Sequence, residues 1–318
     1  MKNLFLLLIV LGLLFATFYT KTEGATPLLK GYIREKDINS RKLYEDTLIN
    51  LYADKIGWKL GVQNHTSTQP EIAGQAGMLV DINTGDILFD KNAELQFPIA
   101  SLTKIMTTVV ALEHKGLQEK VFVSGDSASI GENSMGLTYG ETYTLEELMY
   151  GLILVSGNDA AYAIADGVAE SSDRFIEWMN FKAAELGLRN TVFTDPSGLD
   201  DGNVSTPADL AKLTRYAMQN PDFKKIVGTV ETEIYPNEFH KYVYLFNQTN
   251  LLTTYPGVAG VKTGFTEAAG LCLVTYATND GREVVGIVLD SIDRKGDMIL
   301  MLDHGFSTLG VNVVHNLL

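Results

Sequence analysis

The chain has 318 residues, 46% hydrophobic and 20% charged, which is ample apolar material for a packed core in one large domain or two smaller ones. Its 25 basic against 39 acidic side chains leave a net charge of -14, the wrong sign to grip a phosphate backbone or adsorb to anionic lipid, so nucleic acid is not an expected partner. A single cysteine, Cys272, excludes an intrachain disulfide and a two-cysteine metal site, and its place in the apolar run Leu271 to Ala277 reads as a small buried hydrophobe.

The first segment in chain order is an apolar run, Leu4 to Tyr19, behind Lys2 and ahead of Lys21. At about 16 residues it is short for a bilayer span and long for a cleaved signal core, and no clean small-residue cleavage site follows. Residues 1–25 therefore fit either a signal peptide or an N-terminal membrane anchor, and both place the remainder outside the cytoplasm. Residues 26–75 change character, with the charged stretch Arg34-Glu35-Lys36-Asp37 and the polar segment Asn64 to Pro70. They read as a stalk or extension carrying one short surface helix over Asp37–Tyr52.

The globular part is expected over residues 76–318. Two apolar runs within Gly77–Phe89 flank a turn containing Asn83 and Gly85, a β-hairpin signal. Helical patterns follow over Ser101–His114, Leu145–Leu154, Ala160–Ala169 and Asp173–Leu186, and Ser205-Thr206-Pro207 starts another that reaches Gln219. Strands return over Gly270–Thr278 and Glu283–Asp290, joined by the turn Asn279-Asp280-Gly281, ahead of a last helix over Arg294–Phe306. Strands thus flank a helical middle, so the sheet must be assembled from both ends of the chain.

Three short patterns carry chemistry. In Ser101-Leu102-Thr103-Lys104, at the start of an apolar helix, residues three apart share a face, and a lysine kept neutral by burial can take the proton that makes a serine hydroxyl nucleophilic. Ser156-Gly157-Asn158 sets a hydroxyl and a carboxamide on a tight loop, where they can pass a proton and hold a substrate amide. Lys262-Thr263-Gly264 offers a carboxylate contact on a strand edge, with Gly264 letting a ligand approach the backbone. Taken singly, each has an ordinary alternative: an N-cap serine beside a solvated lysine, a helix connection, a surface turn.

Together, and in this order, the three match the signature of penicillin-binding proteins and serine β-lactamases. The stretch from Ala76 to Phe306 most resembles the low-molecular-mass serine D-alanyl-D-alanine carboxypeptidases. The text around the motifs carries it: Pro98 to Thr107, Val155 to Ala161, Gly260 to Thr266, and the further segments Asp195-Pro196-Ser197-Gly198-Leu199-Asp200 and Ser205 to Leu210. The resemblance implies an α+β transpeptidase fold, a mixed sheet of mainly antiparallel strands flanked by helices, with a helical lobe beside it.

It further implies that Ser101 attacks the bond between two D-alanines at the end of a peptidoglycan stem peptide and that Lys104 takes its proton. Ser156 and Asn158 would relay that proton and position the peptide, Lys262 and Thr263 would receive the terminal carboxylate, and the amides of Ser101 and Phe265 would form the oxyanion hole. Arg294 is a second carboxylate contact on the same reading. β-Lactam antibiotics would acylate Ser101 as covalent inhibitors. Between Phe193 and Asp200 no glutamate stands where class A β-lactamases place their deacylating one, so slow release of the drug is expected. The chain lacks the C-terminal anchoring segment that many of these proteins carry, so tethering is expected to fall to the N-terminal apolar segment. No cofactor is called for, and no metal: His65, His114, His240, His304 and His315 are scattered without ligand spacing. A cross-link-cutting endopeptidase and a non-catalytic antibiotic sensor are the other readings of the same motifs.

Overall fold

The structure is a computed structural model that describes residues 60–61 and 69–317. The apolar run Leu4 to Tyr19 and the helix expected over Asp37–Tyr52 lie outside the described residues.

β1 (Ala76–Asp81) and β2 (Ile87–Lys91) form the expected hairpin. The Asp81 carboxylate makes the turn by accepting the amides of Asn83 and Thr84 at 2.9 and 3.1 Å, and Gly85 closes it at a φ of 83°. β3 (Phe97–Pro98) runs into a 3-10 turn, Ala100–Thr103, and then into α1 (Lys104–His114). The middle of the chain follows as β4 (Lys120–Phe122), α2 (Gly125–Ala128), β5 (Thr142–Thr144), α3 (Leu145–Leu154), α4 (Asn158–Ala169), α5 (Ser172–Glu185), β6 (Val204–Ser205), α6 (Pro207–Ala217) and α7 (Pro221–Val227). The last third holds β7 (Glu231–Ile234), β8 (Val243–Phe246), α8 (Leu251–Thr254), β9 (Val258–Thr266), β10 (Gly270–Asn279), β11 (Arg282–Ser291) and α9 (Arg294–Thr308).

Local chemistry fixes the ends of these elements. Thr144 and Glu147 form a reciprocal capping box on α3, and Thr206 accepts the Asp209 amide at the start of α6 with Pro207 in the first turn. Asp280 and Gly281, at φ 48° and 73°, supply the left-handed pair that a tight β10–β11 turn needs.

The main sheet has five strands in the order β2-β1-β11-β10-β9, every neighbour antiparallel. The expected sheet built from both chain ends is present: β1 pairs β11 from Ala76↔Leu289 to Asp81↔Val284. Adjacent residues of one strand serve opposite faces. Leu79, Val284 and Val288 pack with Met298, Leu302 and Phe306 of α9, while Met78, Val80, Val285 and Ile287 belong to the larger core that the other helices share. β9 is left at the sheet's edge, where its outer backbone faces the helical lobe rather than another strand.

The chain already packs on this body ahead of Ala76. Ile72 is buried, Leu60 rests on the larger core, and the amides of Ala73 and Gly74 donate to the Asp297 carboxylate at 2.7 and 2.9 Å. The helix expected from Ser101 begins three residues later, at Lys104, because Ala100 adopts a φ of 46° and the next residues tighten into the 3-10 turn. The small β3–β6, β4–β5 and β7–β8 pairs gave no period-2 run long enough to read, and only their partners across the fold define them.

Candidate active site

The serine sits on the 3-10 turn, not inside the α-helix, and two glycines make room for that turn. At Gly198, whose φ is 84°, an added Cβ would lie 2.0 Å from the Ala100 carbonyl oxygen. At Gly264, on β9, it would lie 3.0 Å from the Ile99 carbonyl and 3.2 Å from the Ser101 nitrogen. Gly264, expected to let a ligand approach the backbone, here lets the serine-bearing backbone approach it. The turn is gripped between the edge strand and the 195–203 loop.

The 3-10 geometry stacks residues i and i+3, and Lys104 Nζ lies 2.9 Å from Ser101 Oγ. The lysine is fully buried. It also donates to Asn158 Oδ1 at 2.8 Å and to the Ser197 carbonyl at 2.6 Å. Burial disfavours its charged form and lowers its pKa to about 7, against the opposing pull of Asp195, Asp159 and Glu132. A lysine in this place can therefore exchange a proton near neutral pH.

Opposite it stands a second buried lysine. Lys262 Nζ donates to Ser156 Oγ and to the Thr263 carbonyl, both at 3.0 Å. Its pKa is driven well down by burial and further by the charges of Lys104 and Arg294. Ser156 is buried and held at a φ of 61°, the left-handed region a serine seldom takes. Asn158 opens α4 and ties it to α1 and to the loop at Gly131, its Nδ2 donating to the Gly131 carbonyl at 3.1 Å while its Oδ1 accepts from Lys104. Two hydrogen-bonded groups thus share the site: Ser101, Lys104 and Asn158 in one, Ser156 and Lys262 in the other.

Thr263, nearly buried, and Phe265, whose ring is 59% exposed, follow Lys262 along the edge strand toward solvent. Arg294, at the start of α9, approaches from the sheet side. Its Nη1 donates to the Gly264 carbonyl at 2.7 Å and to the Cys272 carbonyl at 3.3 Å, so this nitrogen braces β9 and β10. Burial lowers its pKa from the ordinary arginine value. Cys272 is buried, with its thiol pushed up to about 11 by burial, as befits an inert packing residue. The sequence-derived residues Ser101, Lys104, Ser156, Asn158, Lys262, Thr263, Gly264, Phe265 and Arg294 all come together around one junction of sheet and lobe.

Two carboxylates that the motifs did not single out complete it. Asp159 accepts the Ser134 hydroxyl and the amides of Met135, Gly136, Leu137 and Ala160, which folds residues 134–137 against the head of α4. Asp195 organises the 195–203 loop in the same way. The only sequence signal for either was position, one beside the Ser-x-Asn pattern and one heading a family-like segment. Neither shows its role until the fold brings its donors near.

Ser101 sharing a hydrogen bond with a buried, low-pKa lysine, across from Ser156 of the α3–α4 loop bonded to Lys262 of the edge strand, is an arrangement suited to an active-site serine peptidase with a penicillin-binding-protein fold. Comparison with known proteins agrees. The family model for D-alanyl-D-alanine carboxypeptidase, peptidase family S11, matches residues 63–293, and the chain belongs to that family of serine peptidases. It is 36% identical over 248 residues to the D-alanyl-D-alanine carboxypeptidase DacF of Bacillus subtilis, a match covering 74% of this chain and 64% of that protein, so the chain spans just under two thirds of that relative. A D-alanyl-D-alanine endopeptidase of Escherichia coli is 34% identical over 72% of this chain and 75% of its own length. Among solved structures, the Streptomyces K15 DD-transpeptidase superposes with a TM-score of 0.72 at 34% identity, covering 76% of this chain and all of that one.

Proposed function

We propose that this chain is a serine D-alanyl-D-alanine carboxypeptidase that trims the terminal D-alanine from peptidoglycan stem peptides through an acyl-enzyme on Ser101. The observation that carries the reading is the polar environment of Lys104. Asn158 Oδ1 and the Ser197 carbonyl can only accept, so a neutral Lys104 spends its two N–H bonds on them and turns its lone pair to the Ser101 hydroxyl. That is the geometry of a general base beside its nucleophile.

In the proposed cycle the Ser101 hydroxyl proton passes to Lys104 as Oγ bonds to the penultimate D-alanine carbonyl carbon. The amide N–H groups of Ser101 and Phe265 meet the oxyanion. Ser156, bonded to Lys262, gives its proton to the leaving amine as the C–N bond breaks and takes in exchange the proton that Lys104 holds, so D-alanine departs and Lys104 is neutral again. Water then attacks the ester, its proton passes to Lys104 and from there to Ser101 Oγ as the C–Oγ bond breaks, and the shortened peptide leaves with Ser101 regenerated. Lys262 and Thr263 take the substrate's terminal carboxylate, Asn158 holds the peptide, and Arg294 adds positive potential behind them. Lys262 is a buried amine on which Lys104 and Arg294 act as cations, and a substrate carboxylate would supply a counter-charge to it.

β-Lactams, whose strained amide imitates the scissile bond, acylate the same serine and leave slowly. Asp195, a carboxylate in the loop beside the serine turn, is occupied by five donors of its own loop and is not available to activate water. Residues 76–318, with the flanking chain that packs on them, form the catalytic domain. The run Leu4 to Tyr19 carries it outside the cell as a signal or holds it there as an anchor, and the chain between residue 26 and the flanking part that packs on the domain acts as the stalk. Among the described residues no helix is long and apolar enough to cross a membrane.

The test is D-alanine release from a stem pentapeptide by the purified protein, with Ser101→Ala as control. Release that depends on Ser101 is the expected result, and stable penicillin labelling without release would overturn it. The endopeptidase relative favours one second reading, in which cross-linked dimers are cut faster than pentapeptides. Rapid turnover of a chromogenic cephalosporin would refute slow deacylation.

A further inference from the structure

Asp195 is 5% exposed, and both of its oxygens are saturated. Oδ1 accepts the Ser197 amide, the Ser197 hydroxyl at 2.7 Å and the Gly198 amide at 2.7 Å. Oδ2 accepts the Asp200 amide at 2.6 Å and Asn203 Nδ2 at 2.8 Å. One carboxylate thus gathers the N–H groups of the whole loop inward, which leaves the loop's carbonyls pointing away from it. Three of those carbonyls reach the segment that carries the nucleophile. Pro196 O accepts the Thr107 hydroxyl at 2.6 Å, Ser197 O accepts Lys104 Nζ at 2.6 Å, and Asn203 O accepts the Ile99 amide at 3.0 Å. Gly198, fixed by the same carboxylate, lies directly on the Ala100 carbonyl.

From this we infer that Asp195 is a positioning residue of the peptidase site, acting through the Ser197 carbonyl to aim the Lys104 lone pair at Ser101. The inference rests on the proposed serine–lysine mechanism and deepens it. A neutral amine at Lys104 has two N–H bonds and one lone pair, and the lone pair goes to whichever neighbour is not claiming a hydrogen. With Ser197 O held at 2.6 Å and Asn158 Oδ1 at 2.8 Å, that neighbour is the Ser101 hydroxyl. If the Ser197 carbonyl drifts, an N–H is released to point at Ser101 Oγ instead, and the base presents a hydrogen where it must present electrons. The carboxylate's charge also acts on Lys104 directly, together with Asp159 and Glu132 and against the effect of burial, and it favours the protonated form.

The experiment is the rate of Ser101 acylation by a fluorescent penicillin, measured from acidic to alkaline pH on the intact protein and on Asp195→Asn. An asparagine cannot accept with both ends, so loop donors lose their partner and the negative charge is gone. The expected result is an alkaline plateau lower by about tenfold to a hundredfold, the scale of a mis-set reacting geometry. The acid limb should lie at lower pH than in the wild type, because a charge that raises the Lys104 pKa has been removed. A mere fold defect would lower the plateau without moving the limb. A folded Asp195→Asn protein with wild-type plateau and limb overturns the inference. Should that variant fail to fold, Ser197→Ala removes one donor while keeping the charge and the backbone. A severalfold lower plateau with an unmoved limb, in a variant whose thermal unfolding and active fraction match the wild type, then supports the inference, and a wild-type plateau overturns it. Wild-type protein that penicillin does not label at Ser101 would instead count against the proposed function itself.

Discussion

The two buried lysines of the site differ in what surrounds them. Lys104 lies between the helical lobe and the 195–203 loop, in the field of Asp195, Asp159 and Glu132, and those carboxylates hold its pKa up at about 7 against the cost of burial. Lys262 lies on the edge strand, where the charges that act on it are Lys104 and Arg294, and nothing checks the fall. The same side chain, equally buried, therefore becomes a base poised near neutrality in one place and an amine without a counter-ion in the other. The difference teaches that burial alone does not set a lysine's character, since the charges around it do, and under the proposed function it assigns proton transfer to the lobe and carboxylate binding to the strand.

The comparison predicts a graded series of effects. Ser101→Ala should leave the fold intact and lower D-alanine release and penicillin labelling by more than about 10³-fold, since no other nucleophile stands beside Lys104. Lys104→Met should follow at about 10²- to 10⁴-fold, the usual worth of a general base. In the wild type the acylation rate should fall on the acid side of about pH 7, where Lys104 becomes protonated and cannot accept the serine proton. A profile with no limb in that region would break the assignment of Lys104 as base.

On the strand side, Lys262→Met should reduce kcat/KM by about 10- to 10³-fold for peptides with a free terminal carboxylate, the scale for losing one partner of a buried charge pair. Peptides amidated at the C-terminus should lose much less. Equal losses for both would remove the carboxylate role from Lys262 and merge the two lysines into one proton relay. Gly198→Ala tests the loop between them, because its Cβ would lie 2.0 Å from the Ala100 carbonyl. It should destabilise the protein by about 1–3 kcal/mol in thermal unfolding and slow acylation through displacement of the serine turn. Phe265→Ala is expected to be mildest, within severalfold and mostly in KM, because the ring is 59% exposed at the rim.

Much of this site was legible before the fold was known. The hairpin over β1 and β2, the helices α3, α4, α5, α6 and α9, and the strands β10 and β11 announce themselves by period, by caps such as Thr206-Pro207, and by turn residues such as Asp280-Gly281. The serine turn was read as a helix because Ser101 to Lys104 keeps helical spacing. Its 3-10 form goes with the positive φ of Ala100, in a turn for which Gly198 and Gly264, from distant parts of the chain, leave room. The packing of Gly264 against the serine turn was not legible, since a lone glycine on a strand edge cannot reveal which backbone it faces. Asp195 and Asp159 stayed without a role because their partners are amides, which every sequence has, and only the folded chain selects which ones converge.

The order and identity of the side chains thus determined which chemical groups this protein owns: two serines, two lysines and an asparagine in motifs whose spacing is local. Tertiary structure alone decided what those groups can do. A lysine's pKa depends on how much water is excluded and which charges lie within a few ångströms, and the direction of its lone pair depends on which acceptors already hold its hydrogens. Both are properties of distance between segments far apart in the chain, brought together here by an antiparallel sheet that joins its two ends.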